Sequence, residues 1–230
     1  MRPSLRRTSS LVNRRILFCL LLALAFYVAR RPAYAQDPGL RTRAWNDAML
    51  LMRQSHYEKA ETALDTAIKN GDHGWKAHLL RGYCRYRLGE EGALSDFNMV
   101  EQHRPRMAYV WAAEAMAVAL IHRFDPDERQ HAVTLMSIAV QEAPRVPIYY
   151  ALRGRLEMGV NRFNDAMEDF NRAVKMSPDD VSILKMRYQA LLEWGGHKKQ
   201  AARDADAIKR LDPRGTAPDP DLPPPPIPAS

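Results

Sequence analysis

Cysteine is scarce in this sequence of 230 residues, occurring only as Cys19 and Cys84. Cys19 falls in an N-terminal apolar run, and removal of that run leaves Cys84 alone, which makes no internal disulfide. A disulfide-stapled secreted scaffold is thereby excluded, and stability has to come from packing. Asn-x-Ser/Thr sequons are missing too, so nothing points to a glycosylated eukaryotic secretory route. There is no Gly-x-Ser-x-Gly elbow, no phosphate-binding loop and no Gly-x-Gly-x-x-Gly. The histidines, at positions 56, 73, 78, 103, 122, 131 and 197, never take the His-x-x-x-His spacing of a helical zinc site, and none pairs with a cysteine. His73 and His78 come nearest to a ligand pair and read as loop and surface residues. Cys84 reads as a small packed thiol rather than a nucleophile. These absences predict a protein with no catalytic residues, no metal and no cofactor.

Acidic residues are missing from residues 1–35, which hold seven arginines: Arg2, Arg6, Arg7, Arg14, Arg15, Arg30 and Arg31. The 27 basic side chains left after them match 27 acidic ones, so the pI near 9.5 gives no support to nucleic-acid binding. The same stretch has the three parts of an export signal: a basic start, an apolar run over residues 16–29, and Ala33-Tyr34-Ala35 as a small-x-small cleavage site before Gln36. That run is short for a membrane span. Arg14-Arg15 followed by Ile16, Leu17 and Phe18 resembles the core of a twin-arginine signal, although Asn13 stands where Ser or Thr is usual. Two routes stay open: cleavage after Ala35, giving a periplasmic or secreted bacterial protein, or an uncleaved leader that anchors the chain in the inner membrane.

The remainder is organised by repetition. Between Tyr150 and Pro178 the chain states one helix–turn–helix unit in full: Gly154, then Ala166 twelve residues on, then Phe170, Ala173 and Pro178. Met167, Phe170, Ala173, Val174 and Met176 form an apolar stripe at helical spacing, with Glu168, Asp169 and Arg172 outside it. The small residues let two backbones approach, Phe170 fills the space above them, and Pro178 cannot continue the helix. Alanines equivalent to Ala166 recur at Ala60, Ala93, Ala132 and Ala201, with Pro105, Pro144, Pro178 and Pro213 each twelve residues after its alanine. This pattern resembles the tetratricopeptide repeat. The resemblance implies an all-α fold, a right-handed superhelical array of about five helix–turn–helix repeats over residues 41–213.

Three departures from the pattern are visible. Gln189 stands where unit five needs a small contact residue, and Arg85 and Glu157 stand where a large apolar residue is usual, which predicts a small rotation of those helices. Residues 121–131 form an insertion in unit three, where Asp125, Asp127 and Glu128 offer either a solvated turn or a cation site for a small metal-dependent enzyme. Residues 214–230, RGTAPDPDLPPPPIPAS, lack the apolar content to fold and predict an extended, mobile, proline-rich tail acting as a spacer or as a proline-rich ligand.

The resemblance also implies a site. In tetratricopeptide arrays the first helices line a concave surface, which here assigns Trp45, Met49, Met52, Leu79, Tyr83, Tyr86, Met116, Arg155 and Met158 to a peptide-binding groove. This set is aromatic and methionine-rich, so the expected partner is a protein or peptide with an apolar or amphipathic segment. Membrane contact follows only if the leader is retained.

Overall fold

A computed structural model describes residues 38–69, 74–104, 106–217 and 220–225, with side chains from Trp45 onward. The leader, His73 and Pro105 lie outside the described residues. Ten helices are described: α1 (Pro38–Arg53), α2 (Tyr57–Lys69), α3 (Trp75–Leu88), α4 (Gly92–His103), α5 (Ala108–Ile121), α6 (Pro126–Glu142), α7 (Pro147–Gly159), α8 (Phe163–Met176), α9 (Val181–Trp194) and α10 (Lys198–Leu211). No strand occurs among the described residues. The helices pair as α1–α2, α3–α4, α5–α6, α7–α8 and α9–α10, and each pair packs on the next. The array is a helical-repeat solenoid. Its first helices also touch, α3 with α5 and α7 with α9.

Small residues set the closeness of each hairpin. A Cβ on Gly154 would lie 3.0 Å from the Ala166 carbonyl oxygen and 3.2 Å from the Phe170 ring. Gly82 repeats the arrangement, with a Cβ falling 2.8 Å from the ring of Phe97. Ala48, Ala115, Ala60, Ala93, Ala132 and Ala166 are all fully buried. Turns use residues that tolerate a left-handed backbone: Gly89 caps α3 at φ 74°, and Asn161 sits between α7 and α8 at φ 62°. Pro144, Pro178 and Pro213 fall in the loops after α6, α8 and α10, as their spacing predicts.

The departures resolve differently from the sequence expectation. Gln189 is exposed, and the register of α9 runs one residue earlier, so that Tyr188 takes the place Gly154 holds in α7. Arg85 needs no rotation of its helix, because acids meet it: its guanidinium donates to Glu61 at 2.7 Å and to Asp96 at 3.0 Å. The insertion lengthens the start of α6. Asp125 caps that helix, accepting from the Asp127 and Glu128 amides at 2.9 and 3.3 Å, and Pro126 occupies the first turn. No group of three His, Cys, Asp or Glu side chains among the described residues is arranged to hold a metal ion.

A second repeated device ties the hairpins together. Arg81 grips Asp96 through two bonds of 2.9 and 2.6 Å, Arg153 grips Asp169 at 2.6 and 2.8 Å, and Arg187 grips Asp204 at 2.9 and 2.6 Å. Each pair joins the first helix of a unit to its second helix, and each carboxylate is buried. A bidentate guanidinium satisfies both oxygens of a buried carboxylate, which an isolated charge in that position could not tolerate. His78 belongs to the same seam: it is buried rather than on the surface, with Nδ1 2.9 Å from Asp96.

Candidate functional site on the concave face

The inner face is built from α1, α3, α5 and α7, whose stripes three and four residues apart point the same way. It carries an open cavity of about 1060 Å³ lined by Met52, Tyr83, Tyr86, Met116, Arg155 and neighbouring side chains. Met52, Tyr83, Tyr86, Met116 and Arg155 are therefore brought together as a set. Leu79 and Met158 do not line the cavity and are buried in the hydrophobic core, to which Met52, Tyr83, Tyr86 and Met116 also belong, and Trp45 and Met49 lie half-buried against it. The cavity is also basic. Arg53, Arg87, Arg123, Arg129 and Arg155 all line it, and the single carboxylate among its described lining residues is Asp221.

That carboxylate comes from the C-terminal tail. Residues 220–225 lie along the inner face without helix or strand, and Leu222 is 1% exposed within the hydrophobic cluster. A free spacer would leave this side chain in water. Burying a leucine removes its apolar surface from solvent, worth about 1.5–3 kcal/mol. Backbone carbonyls of the tail accept from side chains of the array: Tyr83 Oη donates to Leu222 at 3.2 Å, Tyr109 Oη to Pro223 at 2.7 Å, and Arg155 Nη1 to Pro220 at 2.8 Å. Asp221 accepts from the Tyr86 hydroxyl and lies 3.5 Å from Arg87 and 3.6 Å from Arg155. Prolines leave no amide to satisfy in such a segment, so a wall of donors suits it.

The donors are held in place from behind. The Arg87 guanidinium sits 4.7 Å over the Tyr57 ring and donates to the Tyr83 hydroxyl at 3.1 Å. Tyr83 meets Tyr57 edge-on with ring centres 6.0 Å apart. Arg155 Nη2 rests 3.7 Å from the sulfur of Met116. Burial pushes the Tyr83 phenol up to about 12, and burial with the neighbouring Asp221 raises Tyr86, so both hydroxyls remain protonated donors. Cys84 is buried in the same helix, its thiol pushed up to about 12 by burial, which fits a packed and inert sulfur.

Tyr109 and Arg87 were outside the groove assigned from sequence. Tyr109 stands seven residues before Met116 and Arg87 four after Tyr83, so following each stripe along its helix finds them. The tail carried a weaker signal, since one leucine among prolines does not announce a binding segment.

Residues 47–93 of the chain match the tetratricopeptide repeat family. Two solved structures are similar over most of its length. A thermophilic tetratricopeptide protein of Thermus thermophilus is 16% identical, with a TM-score of 0.69 over 76% of this chain and 93% of that one. MamA of Desulfovibrio magneticus RS-1, from its residue 41 onward, is 17% identical, with a TM-score of 0.59 over 78% of this chain and 98% of that one. The chain thus has the fold of tetratricopeptide proteins.

Proposed function

We propose that this protein is a non-enzymatic scaffold that binds a peptide or protein segment along its concave face, in the periplasm or outside a bacterial cell. The observation that carries this reading is the row of donors, Tyr83, Tyr109 and Arg155, bonded to the carbonyls of an extended segment. Carbonyls occur in every peptide, so such a wall selects for an extended backbone, while neighbouring pockets select side chains. The tetratricopeptide fold supports protein–protein interaction by analogy. Export rests on the leader pattern of residues 1–35. An N-terminus at Gln36 in the mature chain supports export with cleavage, whereas an intact Met1 in a membrane fraction supports the anchored form.

Selection of displayed random peptides by the full chain tests the groove. Peptides that bind the wild-type chain and are lost by Arg155→Glu place binding on the concave face. Selected peptides indifferent to Arg155→Glu and to Tyr86→Phe place it elsewhere and end this reading.

A further inference from the structure

The tail is steered into the groove by a dedicated turn. After α10, Asp212 accepts from the amides of Thr216 and Ala217 at 2.8 and 2.9 Å, and Lys185 donates to the Ala217 carbonyl at 2.9 Å. These backbone amides hold the Asp212 carboxyl below the usual carboxylate range. The turn ends three residues before Pro220. Two independent features, a turn that aims the segment and a wall that receives it, act on one stretch of sequence. The fit is also one of charge. Among the described residues lining the cavity Asp221 is the single carboxylate beside five arginines, Arg53 has no polar partner, and Arg123 rests only on the ring of Phe124.

We propose that the concave face is a receptor for extended segments of the pattern Pro-Asp-Leu-Pro, that residues 220–225 are its resident occupant in cis, and that partners carry the same chemistry and displace them. This rests on the reading of the concave face as the peptide-binding surface and adds which peptide it reads and what occupies it at rest. The required features follow from the contacts. An acidic side chain reaches Tyr86, Arg87 and Arg155, an aliphatic one fills the place of Leu222, and prolines keep the backbone extended with its carbonyls outward. A short tether holds the tail at an effective concentration of about 1 mM. If the tail's own affinity is about 0.1 mM, the groove is open about one-tenth of the time, and a competing peptide binds about tenfold more weakly than its intrinsic affinity.

The test uses a fluorescent nonapeptide, Ala-Pro-Asp-Pro-Asp-Leu-Pro-Pro-Pro, the sequence of residues 217–225, titrated by anisotropy with the full chain and with the full chain carrying Asp221→Lys and Leu222→Glu. Circular dichroism establishes equal helicity, and Leu222→Ser serves as the companion variant if the charged tail reduces it. The expected result is binding about tenfold tighter to the tail variant than to wild type, and a loss of at least about fivefold when Tyr86→Phe and Tyr109→Phe are added to it. Equal binding by wild type and tail variant overturns cis occupancy while leaving a peptide-binding groove. Absence of binding by helical tail variants overturns the Pro-Asp-Leu-Pro chemistry, and the displayed-peptide selection then decides separately whether the groove binds peptides at all. Tight binding indifferent to both tyrosine changes places the peptide elsewhere and overturns the proposal.

Discussion

Arg153 and Arg155 stand two residues apart on α7 and do opposite things. At about 100° per residue their side chains leave the helix on opposite faces. Arg153 turns into the hairpin seam and grips a buried carboxylate on α8 through two short bonds. Arg155 turns to the concave face, where its partners are the tail carbonyl of Pro220, the Asp221 carboxylate and a methionine sulfur. Their side chains are 21% and 36% exposed, so burial alone hardly separates them. The difference lies in who supplies the partner. On the seam the array satisfies its own polar groups, whereas on the inner face an added segment does so. The first arrangement is a stability device and the second a binding device.

Substitutions on the seam and on the inner face should therefore separate stability from binding. The largest expected effect is at Gly154, where even a Cβ meets backbone at 3.0 Å. Gly154→Leu is expected to cost about 3 kcal/mol in chemical denaturation, by forcing α7 and α8 apart. Wild-type stability of that variant would mean that the hairpin is not closed at this residue. Asp169→Ala strands Arg153 and is expected to cost about 2 kcal/mol, discounted from a fully buried pair because the guanidinium is partly solvated. Its peptide affinity should stay at the wild-type value once measured below the unfolding transition.

Glu157 sharpens the comparison through pH. It is buried beside the seam with Oε2 lacking a hydrogen bond among the described residues, and burial, then repulsion from Asp169, pushes its carboxyl up to about 7. A folded-state value above the unfolded one means that the native state binds the proton more tightly, so stability falls as pH rises from about 4.5 to about 7. Glu157→Gln should remove that slope and gain roughly 1–2 kcal/mol at pH 8, read from paired denaturation curves at pH 5 and pH 8. An unchanged slope would show that the carboxyl is already ionised in the fold. A further stability loss of about 1.4 kcal/mol is expected of Arg155→Glu, which is what docking of the tail contributes to the folded state. The same change should release the tail and abolish binding of the tail-derived peptide, reversing the pattern seen with Asp169→Ala.

The hairpins were legible in the sequence because close packing leaves a strict trace. Gly154, Ala166, Phe170 and Pro178 each answer a separate steric demand, and their spacing repeats. The seam's ion pairs were equally visible but went unread: an arginine directly before Gly82 and Gly154, and an aspartate three residues after Ala93, Ala166 and Ala201. Arg85 looked like an error in an apolar pattern, since periodicity counts side chains along one helix and says nothing of the acids that an adjoining helix supplies, whereas Glu157 is an acid buried beside another acid, Asp169. Gln189 misled for a related reason, as register counted back from Ala201 misses the additional residue in α9. The inner face was legible only in part. Helical stripes bring Tyr83, Tyr86 and Arg155 together, but the segment that meets them lies 135 or more residues from the two tyrosines in sequence, and composition alone describes it as a spacer.

The most direct measurement places a photoreactive leucine analogue at position 222 of the full chain and maps its adducts after irradiation at low protein concentration. The account predicts adducts within the same chain, confined to the inner face around Tyr83, Tyr86 and Met116, and lost with Arg155→Glu. Adducts between chains, adducts scattered over the surface, or adducts unaffected by Arg155→Glu would contradict it.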